Sequence, residues 1–146
     1  MADFRILISD WRSDRQRLSQ IRRGVFIEEQ GVPEELEWDD DDAGAIHLLA
    51  VDADDTPIGC ARLLPDGHIG RMAVLQSWRG KGVGRALLQK GLEVARAQGH
   101  AIVRLSAQTH AAGFYRRHGF IAQGDGYLEA GIPHLAMEIS FDQGDA

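Results

Sequence analysis

Four of the five residues at positions 4–8, Phe-Arg-Ile-Leu-Ile, are apolar, which predicts an opening strand. Apolar residues then recur at three- and four-residue spacing, which predicts a helix that begins at Asp10 or Ser13 and ends near Gly24. A Gly-Val-Pro sequence at residues 31–33 interrupts any longer helix. The chain is therefore expected to open with a strand and one amphipathic helix.

Three short apolar segments follow a polar stretch. Residues 46–51 and 58–64 have the composition of strands, and the Asp-Asp-Thr-Pro sequence of residues 54–57 is typical of the turn between them. A third strand is predicted over residues 68–75, after the Pro-Asp-Gly sequence of residues 65–67. Short strands joined by such turns predict an antiparallel meander.

The apolar period changes to that of a helix at Val83 and keeps it until residue 98. Gly99 then ends the helix in the usual C-terminal position. Because the next apolar segment, residues 101–106, follows so closely, it forms a βαβ unit with the helix and with strand 68–75. The two strands of this unit are expected to be parallel, with a right-handed crossover.

The last third of the chain completes the sheet. A helix is predicted over residues 109–117 and closing strands at 120–121 and over 135–141, while the polar tail 142–146 is expected to fray. The elements together predict an α/β fold with a mixed, mostly antiparallel sheet. In this fold the parallel βαβ unit is central, and helices cover both faces of the sheet.

Length and cysteine content limit the possible classes of protein. The 146 residues suit one domain spanning residues 1–146, with an ordered core of about 4–141. Cys60 is the only cysteine, which excludes intramolecular disulfides and multi-cysteine metal sites. A reducing, cytoplasmic location without a resident metal is the resulting expectation.

The charge balance disfavours two classes of partner. The net charge is −6, which disfavours nucleic-acid binding because that binding depends on clustered Lys and Arg. The apolar segment 45–51 is too short to span a membrane. Seven acids lie close together: Glu34, Glu35, Glu37 and Asp39 through Asp42. This acidic segment is interpreted either as a solvated loop or as a lip that attracts a cationic amine.

Residues 78–85 carry the clearest chemical signal, since three glycines and several cations lie between a predicted strand and a helix start. Free backbone N–H groups and the positive end of the helix dipole meet there, which favours binding of an anion. The nucleotide P-loop pattern fails because Lys81 precedes Gly82 rather than Ser or Thr. The dinucleotide pattern fails because Arg85 stands where Gly or Ala is needed.

What this turn does match is Arg-x-x-Gly-x-Gly, at Arg79, Gly82 and Gly84. Residues 112–120 add a Phe-Tyr-x-x-x-Gly-Phe sequence at the expected distance. With these two motifs the chain resembles the GNAT superfamily of N-acetyltransferases over most of its length. Residues 25–33 and the Gly-Ile-Pro-His-x-x-Met sequence of 131–137 are similar to a small bacterial subgroup of it.

The resemblance implies acetyl-coenzyme A as the acyl donor and assigns residues to its parts. The pyrophosphate would lie against the turn, which comprises Arg79, Gly80, Lys81, Gly82, Val83 and Gly84, with Arg85 close by. The pantetheine arm would meet the backbone of Met72, Ala73 and Val74. Gln108 stands near the position of the family's usual Asn and is a candidate to replace its contact with the arm.

Amide formation from a thioester needs an uncharged amine, a polarised carbonyl and a proton for the leaving thiolate. In the family the matching tyrosine, here Tyr115, supplies that proton; the alternative is a tyrosine that only packs in the core. Glu29 and His134 are candidate bases for the amine proton. The alternatives are a solvated helix end for Glu29 and a structural, hydrogen-bonded ring for His134.

The resemblance therefore predicts an enzyme that transfers an acetyl group to a primary amine of a small molecule, peptide or protein by direct attack. A homodimer is expected because dimers are common in the family. One alternative is a non-catalytic acyl-coenzyme A sensor or binding module. Another is an acyl-homoserine-lactone synthase, which residues 22–42 resemble, but those enzymes do not usually carry the intact glycine turn.

Overall fold

The computed structural model describes residues 3–141, so the tail of residues 142–146 lies outside the described part. An antiparallel four-stranded sheet opens the fold in the order β1-β2-β3-β4. Its strands are β1 (Phe4–Ser9), β2 (Ile46–Asp52), β3 (Pro57–Leu63) and β4 (Ile69–Val74). The predicted meander is confirmed.

The first helix is longer than the sequence pattern indicates. Helix α1 (Trp11–Arg22) begins at Asp10, whose carboxylate accepts a hydrogen bond from the Ser13 N–H at 2.8 Å. It continues without a break as a π-helical segment (Arg23–Glu29) instead of ending near Gly24. Wider turns of this kind are often found at functional sites.

Helix α3 (Val83–Ala97) connects β4 to β5 (Ile102–Gln108), as the predicted βαβ unit requires. Among residues 3–141, the parallel pairing between the two segments is confined to one bridge, between His68, just before β4, and Arg104 of β5. Beyond this bridge the strands separate, and β5 belongs to a second sheet of order β5-β7-β6. The expected mixed sheet is therefore split into two sheets that diverge.

A bulge in β4 accounts for the divergence. Cys60 pairs with Ala73 and Arg62 pairs with Gly70, so one residue of β3 lies opposite two residues of β4. One of these two, Arg71, has a φ of +48°, which is unusual for a side-chain-bearing residue. A bulged strand bends, and here β4 bends away from β5.

The second sheet contains a long hairpin of β6 (Ile121–Glu129) and β7 (Ile132–Ser140). The prediction of a strand of only two residues at 120–121 is wrong, because residues from Ile121 to Glu129 form a strand that pairs with β7 around a bulge. Short polar and glycine residues in β6 hide its strand character in the sequence. A short helix, α4 (Ala112–Arg117), follows β5 after one 3₁₀ turn.

Helices cover both faces of the first sheet, as predicted. On one face α1 and β2 share an apolar cluster that includes Leu18, Ile21, Leu49 and Val51. On the other face α3 and β2 share a cluster that includes Val83, Leu87, Leu48 and Ala50. Odd and even positions of β2 therefore serve opposite cores, as strand geometry requires.

Part of the acidic segment is drawn inward, because three of its seven acids, Glu37, Asp39 and Asp42, neutralise arginines, while Glu34, Glu35, Asp40 and Asp41 stay exposed. Arg22, 1% exposed, binds Glu37 at 2.8 Å through Nε and Asp42 at 2.7 Å through a terminal nitrogen. Arg62 binds Asp39 at 2.7 Å and Asp42 at 3.0 Å. Burial of an arginine requires such partners, which draws the segment inward. The turn of helix α2 (Glu34–Glu37) begins this segment.

Among residues 3–141, no helix has both the length and the apolar character that crossing a membrane demands.

Candidate active site

A cavity of about 1010 Å³ lies between β4 and β5. The π-helical segment, α4 and the β6–β7 hairpin form its other walls. Eight of the predicted site residues line it: Glu29, Met72, Ala73, Val74, Arg79, Gln108, Tyr115 and His134. The other six predicted residues, Gly80, Lys81, Gly82, Val83, Gly84 and Arg85, form the turn beside it and are not in its lining.

The β4 wall offers backbone groups to a ligand. On one side β4 pairs with β3, including Gly59 with Val74 and Cys60 with Ala73. On the side of β5, strand pairing within the described residues stops at the His68 bridge. An extended molecule with amide groups can therefore bind along this free edge in the manner of an added strand.

The turn after β4 has the geometry of an anion site. Gly80 and Gly82 have φ angles of +78° and +88°, a region in which side-chain-bearing residues are strained. Gly82 is the N-cap of α3, and no side chain caps the helix there. The N–H groups of the first helical turn therefore remain available to a ligand.

The cations of the turn differ in their surroundings. Lys81 lies over the ring of Trp78, with Nζ 5.1 Å from the ring centre. Arg79 donates from Nε to the carbonyl of Val74 at 3.0 Å, and its two terminal nitrogens each bind one oxygen of Glu29 at 2.7 Å. This bond with Arg79 lowers the pKa of Glu29 below its ordinary value.

Tyr115 reaches the cleft from α4. Its ring packs edge-on against Phe114 and Phe120, with centroid distances of 5.1 and 5.9 Å. Its hydroxyl points to the Sδ of Met72 on β4, 3.7 Å away. Burial raises the pKa of Tyr115 to about 12, so the hydroxyl keeps its proton at any physiological pH. The ring of Tyr115 can therefore pack in the core while its hydroxyl remains available as a proton donor.

His134 lines the cavity from β7, where it pairs with Gln108 of β5. Nδ1 lies 2.7 Å from the carbonyl of Ile132, so it donates a hydrogen there and leaves Nε2 with a lone pair. Glu129 lies 3.5 Å from Nε2.

Several cavity residues could not be found from the sequence. Gln30 accepts a hydrogen bond from Gln108 at 2.8 Å, although 78 positions separate them. Ser106, whose hydroxyl lies against that of Tyr127, also lines the cavity. Neither contact follows a motif or a period, so only the folded chain reveals it.

Two buried side chains of the first sheet, Cys60 and His47, are unreactive. Burial raises the pKa of Cys60 to about 12, so it is a thiol rather than a nucleophilic thiolate near neutral pH. His47 is held through Nε2 by the carbonyl of Asp42 at 2.9 Å, and burial lowers its pKa. Over residues 3–141, His, Cys, Asp and Glu side chains form no group of three with the arrangement of metal ligands.

Comparison with known proteins identifies the family. The model of the acetyltransferase (GNAT) domain matches residues 16–141. The chain belongs to the GNAT acetyltransferase family. The prediction of an acyl-coenzyme A-dependent N-acetyltransferase is thereby confirmed.

Relatives of this GNAT acetyltransferase match it over most of their length. It is 40% identical to YjcF of Bacillus subtilis, named an uncharacterized N-acetyltransferase, over 80% of this chain and 86% of that protein. It is 35% identical to ElaA of Escherichia coli over 82% of this chain and 83% of that protein.

Solved structures confirm the fold. The structure of Escherichia coli ElaA superposes with a TM-score of 0.82 and 32% identity, covering 96% of this chain and 100% of ElaA. An acyl-CoA N-acyltransferase from Pseudomonas aeruginosa superposes with a TM-score of 0.83 and 31% identity, at the same coverage. The fold therefore implies an acyl-coenzyme A donor and an amine acceptor.

Proposed function

We propose that this GNAT acetyltransferase transfers the acetyl group of acetyl-coenzyme A directly to a primary amine of a small molecule, peptide or protein. One observation carries the proposal: the free edge of β4 and Tyr115 line one cleft, and the uncapped glycine turn lies beside it. A dianionic pyrophosphate suits the turn, and an amide-containing arm suits the strand edge.

The donor end is proposed as follows. The N–H groups at the start of α3 bind the pyrophosphate, with Arg79 and Lys81 adding positive charge. The backbone of Met72, Ala73 and Val74 binds the pantetheine arm, and an N–H of this edge polarises the thioester carbonyl. Gln108 contacts the arm from β5, where its side chain borders the same cavity.

His134 is the better supported of the two candidate bases. Its Nε2 carries the lone pair, since Nδ1 donates to Ile132. The carboxylate of Glu29 is engaged on both oxygens by Arg79, and its lowered pKa makes it a weaker base than an ordinary carboxylate. We assign the removal of the amine proton to His134, directly or through water.

Tyr115 supplies the proton that the departing thiolate needs. The phenol is protonated throughout the working range of pH because burial raises its pKa to about 12. It lies beside Met72, in the stretch of β4 proposed to hold the arm. The proposal therefore assigns one group in the same cleft to each step: His134 to deprotonation of the attacking amine, an N–H of β4 to polarisation of the carbonyl, and Tyr115 to protonation of the leaving thiolate.

Thermal unfolding with acetyl-coenzyme A tests the proposal, with S-adenosylmethionine and NAD as control ligands. A ligand at 100 times its dissociation constant stabilises by about 2.7 kcal/mol, which raises the midpoint of a domain of this size by roughly 5–10 °C. Release of the coenzyme A thiol, measured with each member of a panel of primary amines, then tests turnover. No shift at millimolar acetyl-coenzyme A contradicts the donor assignment. A shift without turnover on any amine indicates a binding module instead.

A further inference from the structure

Two consecutive residues at the end of the π-helical segment reach opposite walls of the cleft. Glu29 binds both terminal nitrogens of Arg79, at 2.7 Å each, on the β4 side. Gln30 accepts from the Nε2 of Gln108 at 2.8 Å on the β5 side. We call these two side-chain contacts, Glu29 with Arg79 and Gln30 with Gln108, the clasp.

The clasp spans a part of the fold that lacks strand pairing. The two sheets meet through the bridge between His68 and Arg104, and β4 and β5 then diverge without further pairing in the described chain. Arg79 and Gln108 lie near the far ends of these strands, one just after β4 and the other at the end of β5. The clasp therefore ties together the end of the cleft that the sheet hydrogen bonds leave open.

On the β4 side the clasp orients a binding group. Arg79 is held at three nitrogens, by the carbonyl of Val74 and by both oxygens of Glu29. A two-pronged carboxylate fixes the plane of a guanidinium as well as its position. The lowered pKa of Glu29 keeps its carboxylate charged at neutral pH, so the contact persists under assay conditions.

On the β5 side the clasp fixes the direction of an amide. Because the Nε2 of Gln108 donates to Gln30, the carbonyl oxygen of Gln108 is left as an acceptor for a ligand N–H. Without Gln30 the amide of Gln108 could rotate and present either end. Binding is stronger when such groups are held in place beforehand, since less freedom is lost.

We infer that Glu29 and Gln30 are positioning residues that hold the coenzyme cleft at its working width through Arg79 and Gln108. The inference deepens the proposed function and rests on it. It gives Glu29 a role in donor binding rather than in proton transfer. The acceptor amine is not involved, so the inference predicts effects on the donor alone.

Steady-state kinetics of Glu29→Gln test the β4 side of the clasp. We expect the KM for acetyl-coenzyme A to rise about three- to fivefold, with kcat within about twofold of the wild type and an unchanged pH profile. The increase should shrink as salt is raised to about 0.5 M, because the lost interaction is an exposed ion pair. The matched control is Glu34→Gln, which removes the exposed pair with Arg23 on the neighbouring helix.

Gln30→Leu tests the β5 side, with Gln20→Leu on the exposed face of α1 as its control. The KM for acetyl-coenzyme A should rise about threefold in Gln30→Leu. Gln30→Glu keeps an oxygen acceptor and should restore a KM within about twofold of the wild type. If Glu29→Gln does not fold, Glu29→Asp, which keeps the charge but shortens the reach, should raise the KM in the same direction.

Several results would overturn the clasp. A lower KM for acetyl-coenzyme A in Glu29→Gln would mean that the carboxylate competes with the coenzyme. A fall in the kcat of Glu29→Gln, together with loss of the acidic limb of its pH–rate profile, would make Glu29 the base. Unchanged KM values in Glu29→Gln and Gln30→Leu would remove the positioning role while leaving the proposed function intact. If the wild type binds no acetyl-coenzyme A, the proposed function fails instead. Amide hydrogen exchange of ligand-free protein then still tests the clasp, since Glu29→Gln, unlike Glu34→Gln, should speed exchange at residues 79–84.

Discussion

The hydroxyl of Tyr115 lies 3.7 Å from the Sδ of Met72, so the proposed acid faces the strand proposed to bind the pantetheine arm. The two residues lie on different elements, α4 and β4, and 43 positions separate them. Their contact links the two halves of the cleft near the expected position of the thioester sulfur.

Tyr115→Phe is expected to slow acetyl transfer about 10²- to 10³-fold and to leave the KM for acetyl-coenzyme A nearly unchanged. The ring keeps its contacts with Phe114 and Phe120, so the unfolding midpoint should change by only a few degrees. Single-turnover kinetics and thermal unfolding check both parts. Turnover equal to that of the wild type would leave Tyr115 with a packing role only.

His134→Gln is expected to lower kcat by about 10²-fold and to leave the KM for acetyl-coenzyme A nearly unchanged. The physical reason is that the variant lacks the ring nitrogen proposed to accept the amine proton. Steady-state kinetics on a reactive amine is the measurement, with His100→Gln outside the cleft as the control. A kcat equal to that of the wild type would exclude the base role.

Gly82 and Gly99 provide a matched test of the coenzyme turn. They lie at opposite ends of α3, both have a φ of +88°, and neither has an atom within 4 Å of the position of a Cβ. Aspartate at either site therefore carries the same backbone strain, about 1–2 kcal/mol, while the helix dipole makes the carboxylate less costly at Gly82 than at Gly99. Only Gly82→Asp adds a negative charge beside the proposed pyrophosphate, so only it should lose the thermal shift with acetyl-coenzyme A. Equal shifts in both variants would exclude the turn as the pyrophosphate site.

The buried charges should matter more for stability than the exposed ones. Asp42→Ala leaves Arg22 and Arg62 without one of their partners in a buried site, and the free energy of unfolding should fall by about 3–5 kcal/mol. Asp41→Ala, on the exposed neighbour, should change it by less than about 0.5 kcal/mol. Denaturation in urea separates the two variants, and similar values for both would mean that the network contributes little.

His47 should make the protein less stable as the pH falls. Burial lowers the pKa of His47 in the folded state, so the unfolded chain binds the proton first. The free energy of unfolding should therefore decrease from neutral pH towards pH 5, with a slope from this residue of at most about 1.4 kcal/mol per pH unit. Urea denaturation of the wild type and His47→Gln at several pH values measures the difference, and identical slopes would contradict it.

Residues that act through short-range patterns were predictable from the sequence. Asp10 caps α1, and Gly82 and Gly84 form the turn, because local backbone chemistry decides both features. The contact between Gln30 and Gln108 was not predictable, since it depends on how far two sheets diverge. The burial of Glu37 was missed for a related reason: in the sequence it is one acid among seven, and its partner Arg22 lies 15 positions away.

In the described part of the chain one bridge, between His68 and Arg104, joins the two sheets, and this has a consequence for how the fold can change. In a continuous sheet, widening a gap between neighbouring strands would break a ladder of backbone hydrogen bonds. Here β4 and β5 are already apart, so under the proposed function the room for the acyl group depends on the side chains that line the cleft. Longer or shorter acyl chains can therefore be accommodated by substitutions along the cleft while both sheets keep their register.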